Sequence, residues 1–219
     1  MQVINVLFIG NSHTYLHYMP AMAVKLGEAG GHPIDARQTT GEGASLEWHW
    51  NNPYTRDFIK EEIWDYVILQ ERSGGPLENR AAMSTYARKL HEKIKAQGAK
   101  TVLFMTWADR RHPETQKAIA DAYTQLSEEL GAMLAPVGLA WEKAQKEYPA
   151  TVLHHRDDRH ANPVGAYLTA CVFYAVLTQK SPAGLPGTIF AAQKERVNLT
   201  ADKASLLQKI AEASQTTTQ

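Results

Sequence analysis

The feature that most constrains this chain is Val6-Leu7-Phe8-Ile9, a short apolar run stopped at once by Gly10-Asn11-Ser12. An apolar run of that length, closed by small turn-forming residues, reads as a buried parallel strand feeding a loop. In open sheets of parallel strands, ligands bind just outside the carboxyl ends of the strands. Ser12 therefore stands where chemistry is expected. A helix starting soon after it would bring free N–H groups and a positive end to the same place.

Strand-like and helix-like segments alternate along the rest of the chain. Strands are expected at 3–9, 32–38, 64–70, 101–106 and 132–137. Helices are expected at 20–29, over the apolar stripe Met83, Ala87, Leu90 and Ile94, over the stripe Ile119, Tyr123, Leu126 and Leu130, and at 140–148, 163–179 and 200–213. Such alternation is the signature of an α/β fold, a parallel sheet with helices on both faces. Residues 46–60 resist assignment beyond a short helix near 54–62, and 181–187 read as irregular. No Pro/Gly/Ser-rich linker divides the chain, so a single domain is expected over 1–213, with 214–219 as a disordered tail.

Charge and cysteine content remove several function classes. The 23 basic and 23 acidic residues give a formal net charge of zero, with no basic stripe to support nucleic-acid binding. Cys171 is the single cysteine, so no intrachain disulfide can form, and its apolar surroundings predict a buried, inert thiol. No apolar run approaches the roughly 18–20 residues of a membrane span. The N-terminus has no leader pattern, which predicts a cytoplasmic location, or a secreted or periplasmic one if a leader was removed.

A serine at a strand end needs a base to become a nucleophile. The candidate lies in His154-His155-Arg156-Asp157-Asp158-Arg159-His160. Asp157 and His160 are three apart, a spacing that can bring a carboxylate to the imidazole Nδ1–H and leave Nε2 free. A carboxylate so placed fixes the tautomer and stabilises the imidazolium that forms when a serine loses its proton. By itself Asp-x-x-His more often caps a loop. The same segment could offer zinc or manganese ligands, but no second ligand cluster accompanies it and its arginines oppose a cation. No metal or other cofactor is expected. Two further strand ends carry candidate oxyanion donors: the backbone N–H of Gly43 within Gly41-Glu42-Gly43, and the side-chain amide of Gln70. His49, flanked by Trp48 and Trp50, and Trp107 are candidates to line a substrate pocket. Nucleophile, base, orienter and oxyanion donors form the parts list of a serine hydrolase. No Gly-x-Ser-x-Gly elbow occurs, which disfavours the α/β-hydrolase version.

These residues resemble the SGNH (GDSL-type) hydrolase superfamily. Ile9-Gly10-Asn11-Ser12 is similar to its first block, Gly-Asp-Ser, with Asn11 in place of Asp. Gly43 matches the glycine block, and Asp157-Asp158-Arg159-His160 matches the final Asp-x-x-His block. The third block departs: where the family usually has Gly-x-Asn-Asp, this chain has Leu69-Gln70-Glu71, as in a branch with Leu-Gln there. The resemblance implies a three-layer α/β/α domain with a flavodoxin-like five-stranded parallel sheet. It also implies ester hydrolysis through an acyl-enzyme, with Ser12 as nucleophile, His160 as base and Asp157 as its orienter. Ser12, Gly43 and Gln70 would hold the oxyanion. The expected partner is a small-molecule ester with a short acyl group, an acetylated carbohydrate foremost, with neither nucleic acid nor membrane involved. Competing readings are a non-catalytic carbohydrate- or ester-binding module on the same fold, a metal-dependent hydrolase built on the 154–160 cluster, and a nucleotide-binding flavodoxin-like protein. The last lacks a phosphate loop.

Overall fold

A computed structural model describes residues 2–215. The opening apolar run forms β1 (Ile4–Gly10), joined by β2 (Ile34–Thr40), β3 (Tyr66–Leu69), β4 (Lys100–Phe104) and β5 (Met133–Ala135). All four neighbouring pairs are parallel, in the order β2-β1-β3-β4-β5. That is the flavodoxin-like order, whose switch point lies between β1 and β3, so the carboxyl end of β1 opens onto the place where such sheets bind ligands.

Two layers of helices cover the sheet. They are α1 (Ser12–Tyr15), α2 (Met19–Ala29), α3 (Leu46–Asn51), α4 (Pro53–Glu61), α5 (Gly75–Glu78), α6 (Arg80–Lys95), α7 (Gln116–Leu130), α8 (Val137–Glu147), α9 (Pro163–Thr178) and α10 (Ala201–Gln215). Because strand side chains alternate between faces, β1 feeds two cores. Val6 and Phe8 join Ile68, Val102 and Phe104 against α2, α8, α9 and α10. Leu7 and Ile9 join Val67, Leu69 and Leu103 against α3, α4, α6 and α7. Helix α9 is buried continuously from Gly165 to Leu177, so it carries no polar face. Its Phe173 ring meets Phe8 and Phe104 edge-on, with centroids 5.1 and 4.9 Å apart.

Three segments differ from expectation. Residues 46–61 form two short helices rather than one. Ser45 caps α3 and Asn52 caps α4, each side chain accepting from a backbone N–H of the first turn. The break at Asn52-Pro53 interrupts the apolar period, which is why no single pattern is readable there. Residues 188–198, for which the sequence offers no readable pattern, form an antiparallel hairpin of β6 (Thr188–Ala191) and β7 (Lys194–Asn198). Its turn places Ala192 and Gln193 at φ of 49° and 60°, a conformation usually signalled by Asn or Gly. Helix α10 runs past Ala213 to Gln215. Ser214, expected to fray, is buried and donates its hydroxyl to Ala211 O at 2.8 Å. The expected tail at 216–219 lies outside the described residues. Cys171 is fully buried, and burial pushes its thiol up to about 12. Among the described residues no helix is long and apolar enough to cross a membrane.

Asn162 joins the last long loop to α9. Its Oδ1 caps the helix by accepting from Val164 N and Gly165 N, while its Nδ2 donates to Val152 O at 2.9 Å. Replacing a cap asparagine by alanine costs about 0.5–2 kcal/mol. Asn162→Ala is expected at the upper end of that range in urea unfolding, with Asn162→Asp recovering the cap and not the bond to Val152.

Candidate active site

The end of β1 is held in place by an amide beneath it. Gln70 is fully buried at the end of β3, and its Oε1 accepts from Asn11 N at 2.9 Å and from Thr14 Oγ1 at 3.0 Å. Gly10 lets the chain pass over this amide, since a Cβ there would collide with Gln70 Oε1 and Thr14 Oγ1. Asn11 then caps the one-turn helix α1. Its Oδ1 accepts from His13 N at 3.0 Å, and its Nδ2 donates to Ala44 O at 3.0 Å, tying the turn to the glycine loop. Ser12 is the first residue of that helix, half-buried, with its hydroxyl facing outward to the base loop.

The base loop is closed at its foot by a bridge between His154 and Ala161 and by His155 N donating to His160 O at 2.7 Å. Ser12 Oγ lies 2.9 Å from His160 Nε2, and His160 Nδ1 lies 2.7 Å from Asp157 Oδ2. An ionised carboxylate only accepts, so Nδ1 carries the ring proton and Nε2 is left to accept from the serine. Asp157 Oδ1 also accepts from the backbone N–H groups of Arg159 and His160, at 3.0 and 2.9 Å. Burial pulls the Asp157 carboxyl upward. The bonds from the His160 ring and from these two N–H groups outweigh it and hold the group well below the usual carboxylate range. Asp158 adopts φ of 62° and turns away towards Arg110, 3.8 Å distant, so it is Asp157 that faces the histidine.

Gly43, at φ of 61°, borders the same cleft of about 390 Å³ as Ser12 and His160. Among the described residues, the backbone N–H groups of Ser12 and Gly43 have no hydrogen-bond partner within the chain. Three expected site residues are placed differently. Gln70 is not presented to the cleft: its Nε2 donates to Glu71 O, and reversing the amide would set an NH₂ against the Asn11 N–H. It supports the Ser12 turn from below instead of offering a donor to the cleft. His49 is fully buried, with Nε2 donating to Gly10 O at 2.9 Å and Nδ1 accepting from Thr55 Oγ1 at 3.1 Å. It supports the end of β1 and does not line the pocket. Trp107 lies behind the base loop, stacked on Trp141 at 3.9 Å, and its Nε1–H donates to Arg159 O at 2.9 Å.

Two neighbours of the serine carry roles that the sequence did not mark. His13 borders the cleft, with its ring centroid 5.4 Å from that of His160, and burial drives it down to about 3, so it stays neutral beside the base. Its position directly after Ser12 was the one available signal. His17 donates Nε2–H to Ala161 O at 3.0 Å, a second clasp between the nucleophile segment and the base loop. Nothing in its sequence context points to this. Among the described residues, no group of three or more His, Cys, Asp or Glu side chains converges as a metal site.

Solved structures are similar over most of the chain. A protein from Slackia heliotrinireducens classed provisionally as an SGNH hydrolase is 27% identical, with a TM-score of 0.65 over 80% of this chain and 99% of its own. A DUF4886 family protein from Bacteroides uniformis has a TM-score of 0.79 at 19% identity, covering 98% of this chain and 95% of its own. A variant of an acetyl-xylooligosaccharide esterase from Geobacillus has a TM-score of 0.65 at 17% identity, over 80% of this chain and 94% of its own. The chain has the fold of the SGNH hydrolases. No family model and no curated protein matches the sequence.

The superfamily's first block usually has Asp where this chain has Asn11, and here the amide is used at both ends. Asn11→Asp keeps the cap on His13 but sets a carboxylate against the Ala44 carbonyl. The expected loss is about 1–3 kcal/mol in urea unfolding. Stability should also follow pH through the buried imidazoles. Burial lowers His49 from 6.5 to about 4. Between those values the unfolded chain takes up a proton that the folded one refuses, so stability falls as pH drops from 6.5 towards 4. The urea midpoint is expected to fall over that window in the wild type, and to fall less steeply in His49→Gln.

Proposed function

We propose that this chain is a serine esterase acting on short-acyl esters, with acetylated carbohydrates as the preferred class. The observation that carries the reading is the continuous line from Ser12 Oγ to His160 Nε2, 2.9 Å, and from His160 Nδ1 to Asp157 Oδ2, 2.7 Å. The acetyl-xylooligosaccharide esterase among the similar structures supports the choice of acyl group and alcohol.

In the first step Ser12 Oγ bonds to the ester carbonyl carbon, and its proton passes to His160 Nε2. The negative charge that develops on the carbonyl oxygen is met by the N–H groups of Ser12 and Gly43. The Asp157 carboxylate stabilises the imidazolium. Collapse breaks the bond to the alcohol oxygen, which leaves with the proton from His160. Water then attacks the acyl carbon, giving its proton to the same nitrogen. Collapse releases the acid and returns the proton to Ser12. The sum is ester plus water to acid plus alcohol. With Gln70 committed to the turn, the oxyanion relies on backbone donors, and losing one donor of such a hole typically costs about 10²–10³ in turnover.

A fluorophosphonate reacts with serines activated by a base and scarcely with others. The expected result is one adduct, on Ser12 by peptide mapping, absent in His160→Ala. Asp157→Asn is expected to lower kcat on an aryl acetate by about 10⁴-fold with unchanged folding. No adduct at any serine would overturn the esterase reading and favour a binding module on the same fold.

A further inference from the structure

The cleft before Ser12 is walled by His13, Tyr15, Gly43, Arg72, Arg159 and His160, with Glu42 as its single acidic side chain. The nearby carboxylates are already matched. Asp157 is held by His160, Asp109 is gripped at both oxygens by Arg111 at 3.0 and 2.8 Å, and Glu78 takes Arg72 at 2.7 Å. The Arg159 guanidinium has no hydrogen bond or ion pair among the described residues. Its main chain, by contrast, is pinned on both sides. The N–H donates to Asp157 Oδ1 at 3.0 Å, and the carbonyl accepts from Trp107 Nε1 at 2.9 Å. An exposed arginine therefore leaves a fixed backbone one residue before the base, on the wall of the cleft. Its charge reaches inward, since it contributes to lowering His13, behind burial and His160.

We propose that Arg159 selects esters that carry a carboxylate a few bonds from the scissile carbonyl. The inference rests on the esterase reading and narrows its substrate class to acidic esters. A guanidinium presents paired donors that match a carboxylate, and hydrogen bonds to charged groups are stronger than neutral ones. Arg159 is free to supply such a pair because no internal acid takes it. Glu42 works against the same ligand, so its removal should act with the opposite sign.

The test compares kcat/KM for para-acetoxybenzoate with that for its uncharged isostere, para-acetoxybenzamide. The wild type is expected to favour the anion. In Arg159→Gln the ratio of the two values should fall by about 10–100-fold, the range corresponding to one charge-assisted pair. Arg159→Lys should keep part of the preference, and Glu42→Gln should raise it. An unchanged ratio in Arg159→Gln, or an equal loss on both esters, overturns the inference while leaving the esterase intact. If the wild type hydrolyses neither ester, the esterase reading has failed instead. Calorimetry with para-hydroxybenzoate and para-hydroxybenzamide then judges the anion site alone: tighter binding of the anion that disappears in Arg159→Gln supports it, and equal binding overturns it.

Discussion

The structure depends on one buried amide. Gln70 Oε1 accepts from the Asn11 N–H and the Thr14 hydroxyl, and this pair of bonds sets the direction in which the chain leaves β1. A buried polar group stripped of its partners costs more than the bond it makes is worth. The turn consequently has one satisfactory geometry. Gly10 makes room for the amide, His49 takes the Gly10 carbonyl, and Asn11 carries the constraint outward to Ala44 and the glycine loop. Ser12 is thus positioned by hydrogen bonds that lie beneath it and do not enter the cleft.

The second half of the site is built on a different device. The loop 154–161 is a closed unit: its foot is bridged, its tip is turned by Asp158 in the left-handed region, and Asp157 gathers two backbone N–H groups as well as the imidazole. It is moored to the body by Trp107 and His17, and it runs through Asn162 into a helix with no solvent face. On the proposed esterase reading, His160 must hold its geometry within fractions of an ångström and gains from such support.

Much of this was legible in the residues, and the limits are physical. The three central strands, β1, β3 and β4, are readable because burial on both faces leaves apolar runs, and the helices because their stripes recur at the helical period. Ser12, Gly43, Asp157 and His160 could be picked out as chemistry-bearing types at strand ends and in a late loop. Gln70, His49 and Trp107 are readable as polar or aromatic groups near the site, but the expectation that they face substrate fails. The direction of a side chain at a strand end is settled by what it can bond. Gln70 and His49 found backbone partners below the turn, and Trp107 found Arg159 O. The hairpin 188–198 was invisible because its turn uses Ala192 and Gln193 in place of the usual residues.

The serine and the histidine it bonds are separated by 148 positions in the chain. One stands after the first strand and the other before the last long buried helix, so the other four strands of the sheet are laid down between them. Loop closure over such a span is entropically costly and comes late in assembly. A chain still emerging during synthesis carries the serine without its base, and that serine is chemically ordinary. On the proposed esterase reading, reactivity therefore appears only once residues 154–161 have docked beside Ser12, and the hydroxyl's response to an electrophile becomes a report on that late step of folding.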